Sequence, residues 1–191
     1  MSGIIGTGGR SGVIGRGSRE GWVLLQSSTG TAASHAMGSA ATLTTLYDDY
    51  MIVGSSIKMA TAEHLGFTAT IGGTDRVSDW ETVSHGRSAA DYEGSTRSNA
   101  SDYAFITGGY PQNNNATDKS DFQLFFSKPT ISTYYHLFRG QSVLHNSQGD
   151  PAVSQFAATN YDFSGALTVV TIKGPATNNV TGEIKLYGLS K

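Results

Sequence analysis

Cysteine is absent, which removes disulfides, thiolate nucleophiles and Cys-based zinc sites and leaves no redox compartment to be read from the chain. Charge is scarce: 15% of residues are Asp, Glu, Lys or Arg, against about 25% in ordinary soluble domains. No apolar run approaches the roughly 20 residues that cross a bilayer as a helix. Helical periodicity is nearly missing as well. Only KMATAEHLGF, at 58–67, reads as a short helical turn, stopped by Gly66.

Gly, Ser, Thr, Ala and Asn fill the gap left by charge. Short runs rich in Val, Ile, Thr, Tyr and Phe recur between clusters of turn residues, and these predict strands at 21–28, 46–58, 65–73, 101–109, 120–128, 132–144, 165–174 and 182–189. Alternation assigns faces. Phe67, Ala69 and Ile71 point inward with Thr68 and Thr70 outward; Phe122, Leu124 and Phe126 share a face; Leu167, Val169 and Thr171, then Ile184 and Leu186, form the last inward sets. The segment 29–42 reads as a loop. Strands spaced by turn clusters, without helices between them, predict an all-β fold: an antiparallel β-sandwich or jelly roll. With 191 residues, one such domain over 20–191 preceded by an arm over 1–19 accounts for the chain.

The opening, MSGIIGTGGRSGVIGRGSR, invites three tests. A dinucleotide fingerprint fails, because Ser11 stands where the third glycine belongs and neither strand nor helix flanks the run; a Walker loop fails for want of its Lys. A secretory signal needs a continuous apolar core, and here Ile4-Ile5 and Val13-Ile14 are isolated by glycine. What fits is a flexible arm. It carries Arg10, Arg16 and Arg19 and no acid, so it is formally +3 on a body of −5, within a net charge of −2. That balance argues against a general nucleic-acid binder.

Catalytic and metal motifs are missing by spacing. His35, His64, His85, His136 and His145 have no pair three to five residues apart, there is no G-x-S-x-G, and Asp48-Asp49 and Asp118/Asp121 lack the EF-hand pattern. No catalytic residue, metal ligand or cofactor is therefore expected. The aromatics Trp80, Tyr92, Tyr110, Tyr134, Tyr135 and Tyr161 are suited to stacking on sugar faces. Of these, Trp80, Tyr92 and Tyr110, with the turn segments 73–79, 94–101, 108–121 and 145–151, are the candidate glycan site.

Two ends of the chain carry a resemblance. The C-terminal TGEIKLYGLSK is similar to the closing strand of tailed-bacteriophage virion proteins, especially marine and cyanobacterial ones, where G-x-[IF]-x-L-Y-G-L completes a jelly-roll-like sandwich. LYDDYMIVGSSIK resembles the Y-x-x-Y-x-[IL] strand of the same group, and SGIIGTGGRSGVIG resembles its Gly-rich leader. The resemblance implies a non-enzymatic capsid decoration protein or short fibre knob at the particle surface, made in the bacterial host cytoplasm. It implies a homotrimer whose partners are other virion proteins, the major capsid protein or a tail protein near the portal, with neither nucleic acid nor membrane bound. Ile4, Ile5, Val13 and Ile14 would then be apolar anchors of the arm, and Arg10, Arg16 and Arg19 would pair with acids on that partner. The alternative is a receptor- or carbohydrate-binding module of a tail fibre, with a host surface glycan as ligand.

Overall fold

The structure is a computed structural model that describes residues 21–89, 93–115, 117–160, 164–175 and 178–190, with the backbone alone for 93–101. Thirteen strands are assigned in it. They are β1 (Trp22–Ala32), β2 (Ser34–Met37), β3 (Tyr47–Met59), β4 (Gly66–Ile71), β5 (Thr74–Arg76), β6 (Trp80–Ser88), β7 (Glu93–Ser101), β8 (Ala104–Phe105), β9 (Ser120–Ser127), β10 (Leu137–His145), β11 (Pro151–Asn160), β12 (Leu167–Lys173) and β13 (Val180–Ser190).

The strands form an antiparallel β-sandwich of unequal sheets. The large sheet has eight strands in the order β1-β13-β3-β9-β10-β11-β6-β7; the small one runs β2-β12-β4-β5, with β8 also pairing β4. The two inner faces meet in one apolar core. Phe67 of the small sheet packs against Trp80 and Phe138 of the large one, at ring-centroid distances of 5.2 and 4.9 Å. Buried His35 ties β2 to the large sheet: Nε2 donates to the Val180 carbonyl and Nδ1 meets the Ser28 hydroxyl.

Alternation placed most inward residues correctly. Phe67, Ala69, Ile71, Phe122, Leu124, Phe126, Leu167, Ile184 and Leu186 are all buried. Thr68, expected outward, is buried as well, and β12 departs for an identifiable reason. β12 shifts register against β4 between Leu167 and Val169, so the parity flips: Val170 and Ile172 are buried, while Val169 and Thr171 are only half-buried. One extra residue in a strand reverses every face after it.

Several boundaries differ from the sequence expectation. The helical turn at 58–67 does not form: β3 runs on to Met59, and Glu63 makes an isolated bridge to Gln112. The predicted loop at 29–42 contains the end of β1 and all of β2, and the predicted turn segments 73–79 and 94–101 contain β5 and most of β7. Within 101–109 only Ala104–Phe105 is a strand after β7 ends, and the strand expected from 132 starts at Leu137. β6 and β11 fall outside the strands the sequence predicts; beside Trp80, Ala152, Phe156 and Ala158, their inward positions hold Thr82, Ser84, Gly86, Ser88, Ser154 and Asn160, which dilute the apolar alternation.

The β3–β9 pair shows how small residues permit large ones. Gly54 lies directly opposite Phe122, and a Cβ on Gly54 would stand 2.0 Å from that ring. Immediately beyond, β3 bulges between Gly54 and Ile57. Ser56 there adopts φ 56°, and its N–H donates to Asp121 Oδ1 at 2.7 Å.

Candidate functional site

The sequence-predicted residues scatter. Trp80 is fully buried in the core, its indole N–H donating to the Arg76 carbonyl at 3.0 Å. Tyr110 is buried in a small second cluster with Leu144 and Ala152. Neither offers a ring face to solvent, so the sugar-stacking surface expected from Trp80 and Tyr110 is not there: large aromatics next to turns served the core instead. Tyr92, Tyr161 and all seven arm positions (Ile4, Ile5, Arg10, Val13, Ile14, Arg16 and Arg19) lie outside the described residues. Tyr134 and Tyr135, by contrast, are 70% and 59% exposed. Among the described residues no group of three or more His, Cys, Asp or Glu side chains gathers as a metal site would.

The arrangement that stands out is the solvent face of the large sheet. Three register lines cross it. One reads Leu24, Tyr187, Met51, Phe125, Arg139, Ala157, Val83 from β1 to β6. The next reads Ser27, Lys185, Val53, Gln123, Gln141, Gln155, His85. The third runs Asp121, Val143, Val153, Arg87. Gln141 donates to Gln123 at 3.3 Å, which starts a glutamine ladder over adjacent strands. Shallow depressions of about 440 and 450 Å³ run beside that ladder.

Polarity is locally inverted here. Val83, Val143 and Val153 are 60%, 57% and 53% exposed, whereas their neighbours Ser84, Ser142 and Ser154 are buried. The interior explains the serines. Behind them lies the 106–110 loop rather than the small sheet: Ser142 bonds its backbone, while the small side chains of Ser84 and Ser154, whose hydroxyls make no hydrogen bond among the described residues, leave room for it. Ser142 Oγ donates to the Ile106 carbonyl at 3.1 Å. Gly108, at φ 61°, presses so close that a Cβ there would sit 2.3 Å from Ser154 Oγ and 2.8 Å from Ser84 Oγ. Nothing in the interior requires the valines outside. An antiparallel sheet with one solvated face ordinarily puts polar residues on it.

No family model and no curated protein matches this chain. Among solved structures, CG-16, a homodimeric agglutinin from chicken liver, pairs with 78% of this chain and 99% of its own at 10% identity and a TM-score of 0.17. A likeness that slight carries no argument about function. The site has to be read from its own chemistry.

That chemistry differs from an ordinary solvated sheet face. A broad pleated face of valine, glutamine and aromatic side chains, with Arg87 and Arg139 balanced by Asp121 and Glu81, suits contact with another pleated or flat protein surface. The alternation in "RGQSVLH" and "AVSQFAATN" was the available signal. It was hidden because buried serine and exposed valine reverse the usual reading.

Proposed function

We propose that this chain is a non-enzymatic structural protein of a bacteriophage virion, a capsid decoration protein or short fibre knob, whose sandwich body packs into a homotrimer through the solvent face of its large sheet. One observation carries the assembly reading: exposed Val83, Val143 and Val153 beside buried serines. An apolar outer face without an interior reason for it stabilises an assembled state, since covering apolar surface gains about 25 cal/mol per Å². The mixed charge of the face allows copies to meet without net repulsion. The virion setting rests on the resemblance of the two chain ends, and TGEIKLYGLSK contributes a strand that lies between β1 and β3 in the large sheet. Residues 1–19 would fasten the body to a capsid or tail protein.

The test is direct. Phage particles are imaged with this protein labelled. Label at regular surface positions is expected, and purified particles without label would end the virion reading. Light scattering on the free protein should give three times the 20.1 kDa chain mass. The carbohydrate-module alternative has lost Trp80 and Tyr110 to burial, but Tyr134 and Tyr135 still favour a glycan contact at a different place.

A further inference from the structure

Between β9 and β10 the chain makes an excursion, residues 128–136, that carries the two most exposed tyrosines among the described residues. It is not a loose loop. The Lys128 N–H donates to the Asp48 carbonyl at 2.6 Å, the Pro129 carbonyl accepts from the Leu167 N–H at 2.8 Å, and the Ile131 N–H returns to the Lys128 carbonyl at 3.1 Å. At the far end His136 is buried and its Nε2 donates to the Gly165 carbonyl at 2.7 Å. Both ends are pinned, so Tyr134 and Tyr135 are held in solvent rather than folded down.

Beneath them is a groove of about 490 Å³, lined by Phe125, Lys128, Tyr134, Tyr135, Leu137 and Arg139 among others. Its charge has one sign. Lys128 and Arg139 meet no carboxylate among the described residues, and no acid lines the groove. Asp49, opposite Ser127, accepts from the Ser127 hydroxyl and keeps its negative charge at the rim, so it offsets one of the two cations and leaves a net positive site. This is a local positive site on a chain of net charge −2.

Lys128 adds a second, independent observation. Its φ is 48°, a left-handed conformation that costs free energy for any residue with a Cβ and favours glycine. Pro129 follows it. A position under that constraint would be occupied by glycine if only the turn mattered. Strain retained in a non-glycine residue at the edge of a groove points to use of its side chain.

We propose that this groove binds an acidic polysaccharide, with sugar rings stacked on Tyr134 and Tyr135 and a ring carboxylate held by Arg139 and Lys128. Amphipathic aromatic faces suit sugar rings, and the Arg fork suits a carboxylate. A peptide adding as a strand is excluded by place, because β9 and β10 are both paired on either side and offer no open edge. A nucleic acid would need a longer track of cations than two. The groove shares Phe125 and Arg139 with the solvent face of the large sheet but none of its exposed valines, so glycan binding is titrated and the oligomer read by light scattering as two separate measurements.

The experiment uses the full chain on a glycan array that carries uronic- and sialic-acid oligosaccharides beside neutral ones. A titration then follows with hexameric oligogalacturonate, its methyl ester, and a fifteen-nucleotide oligo-dT. Binding to acidic glycans is expected, at least tenfold weaker for the methyl ester and for Arg139→Gln, and lost in the Tyr134→Ala/Tyr135→Ala double variant. Lys128→Gly should weaken binding several-fold while holding or raising Tm, since it relieves the backbone; a merely structural lysine would leave binding unchanged. The exposed positions leave folding intact, and light scattering should report the same oligomer for every variant. No acidic-glycan signal, equal binding of ester and acid, indifference to the tyrosine pair, or tighter binding of oligo-dT would each overturn the proposal.

Discussion

At the scale of single residues, Tyr50 shows how a polar tip is placed inside an apolar core. Its ring is stacked on Phe126 at 5.4 Å, while its hydroxyl donates to the Thr44 carbonyl and accepts from the Thr44 N–H, both at 2.8 Å. Together with buried Leu43 and the Gly38 N–H bond to Gln26 Oε1, this side chain fastens the 38–46 segment to the sandwich. Tyr50→Phe keeps the stack and strands the two Thr44 groups, which should cost about 1–2 kcal/mol in urea unfolding, with the loss confined to that segment in hydrogen exchange. His64 and His136 add a pH dependence. Burial lowers both pKa values below the ordinary 6.5. The unfolded chain then takes up protons near 6.5 that the folded chain refuses, so the unfolded state gains as pH falls. Stability should be full above about pH 7 and decline as pH drops through 6.5 toward the lowered folded values. Thermal melts between pH 8 and 5 read the slope, and His136→Gln, which retains a donor for Gly165, should flatten it.

Elements show what the sequence could and could not reveal. β4, β9 and β13 were legible because their inward positions are large and apolar, with Phe122, Leu124 and Phe126 the plainest case. β12 was legible as a strand but not in its faces, since nothing in LTVVTIK marks the register shift after Leu167. β6 and β11 were illegible because a loop rather than a sheet covers part of their inner surface, which replaces apolar residues with serine and glycine. The site suffered the same way: Trp80 and Tyr110 look like binding aromatics and are buried, while the exposed valines of the large sheet's outer face look like core. A tight fit is what the elements share. Gly54 lies under Phe122, which is itself buried, and a Cβ there would stand 2.0 Å from its ring. Gly54→Ala should cost about 1–3 kcal/mol by overpacking, read as a lower urea midpoint with an unchanged slope. An equal midpoint would mean that β3 and β9 separate more readily than their packing implies.

For the whole molecule, the unequal sheets matter most. An eight-stranded sheet backed by a smaller one and by loops presents a wide outer surface, and this chain sets exposed valines on it to either side of the glutamine ladder. Val143 and Val153 are direct partners, flanked by Asp121 on one side and Arg87 on the other. The register allows a substitution that separates folding from assembly. Val143→Lys together with Val153→Glu would give a row alternating in sign from Asp121 to Arg87, and opposite charges across adjacent strands contribute about 0.2–1 kcal/mol each. The single chain should therefore keep its Tm to within a few degrees. An assembled state that covers this face would have to desolvate the new charges, at a cost of several kcal/mol per ion unless each is matched. If the proposed trimer forms through this face, light scattering should fall from it to the 20.1 kDa chain mass. If the double variant still sediments as a trimer, copies meet through another surface, and the exposed valines would then be left for a different partner.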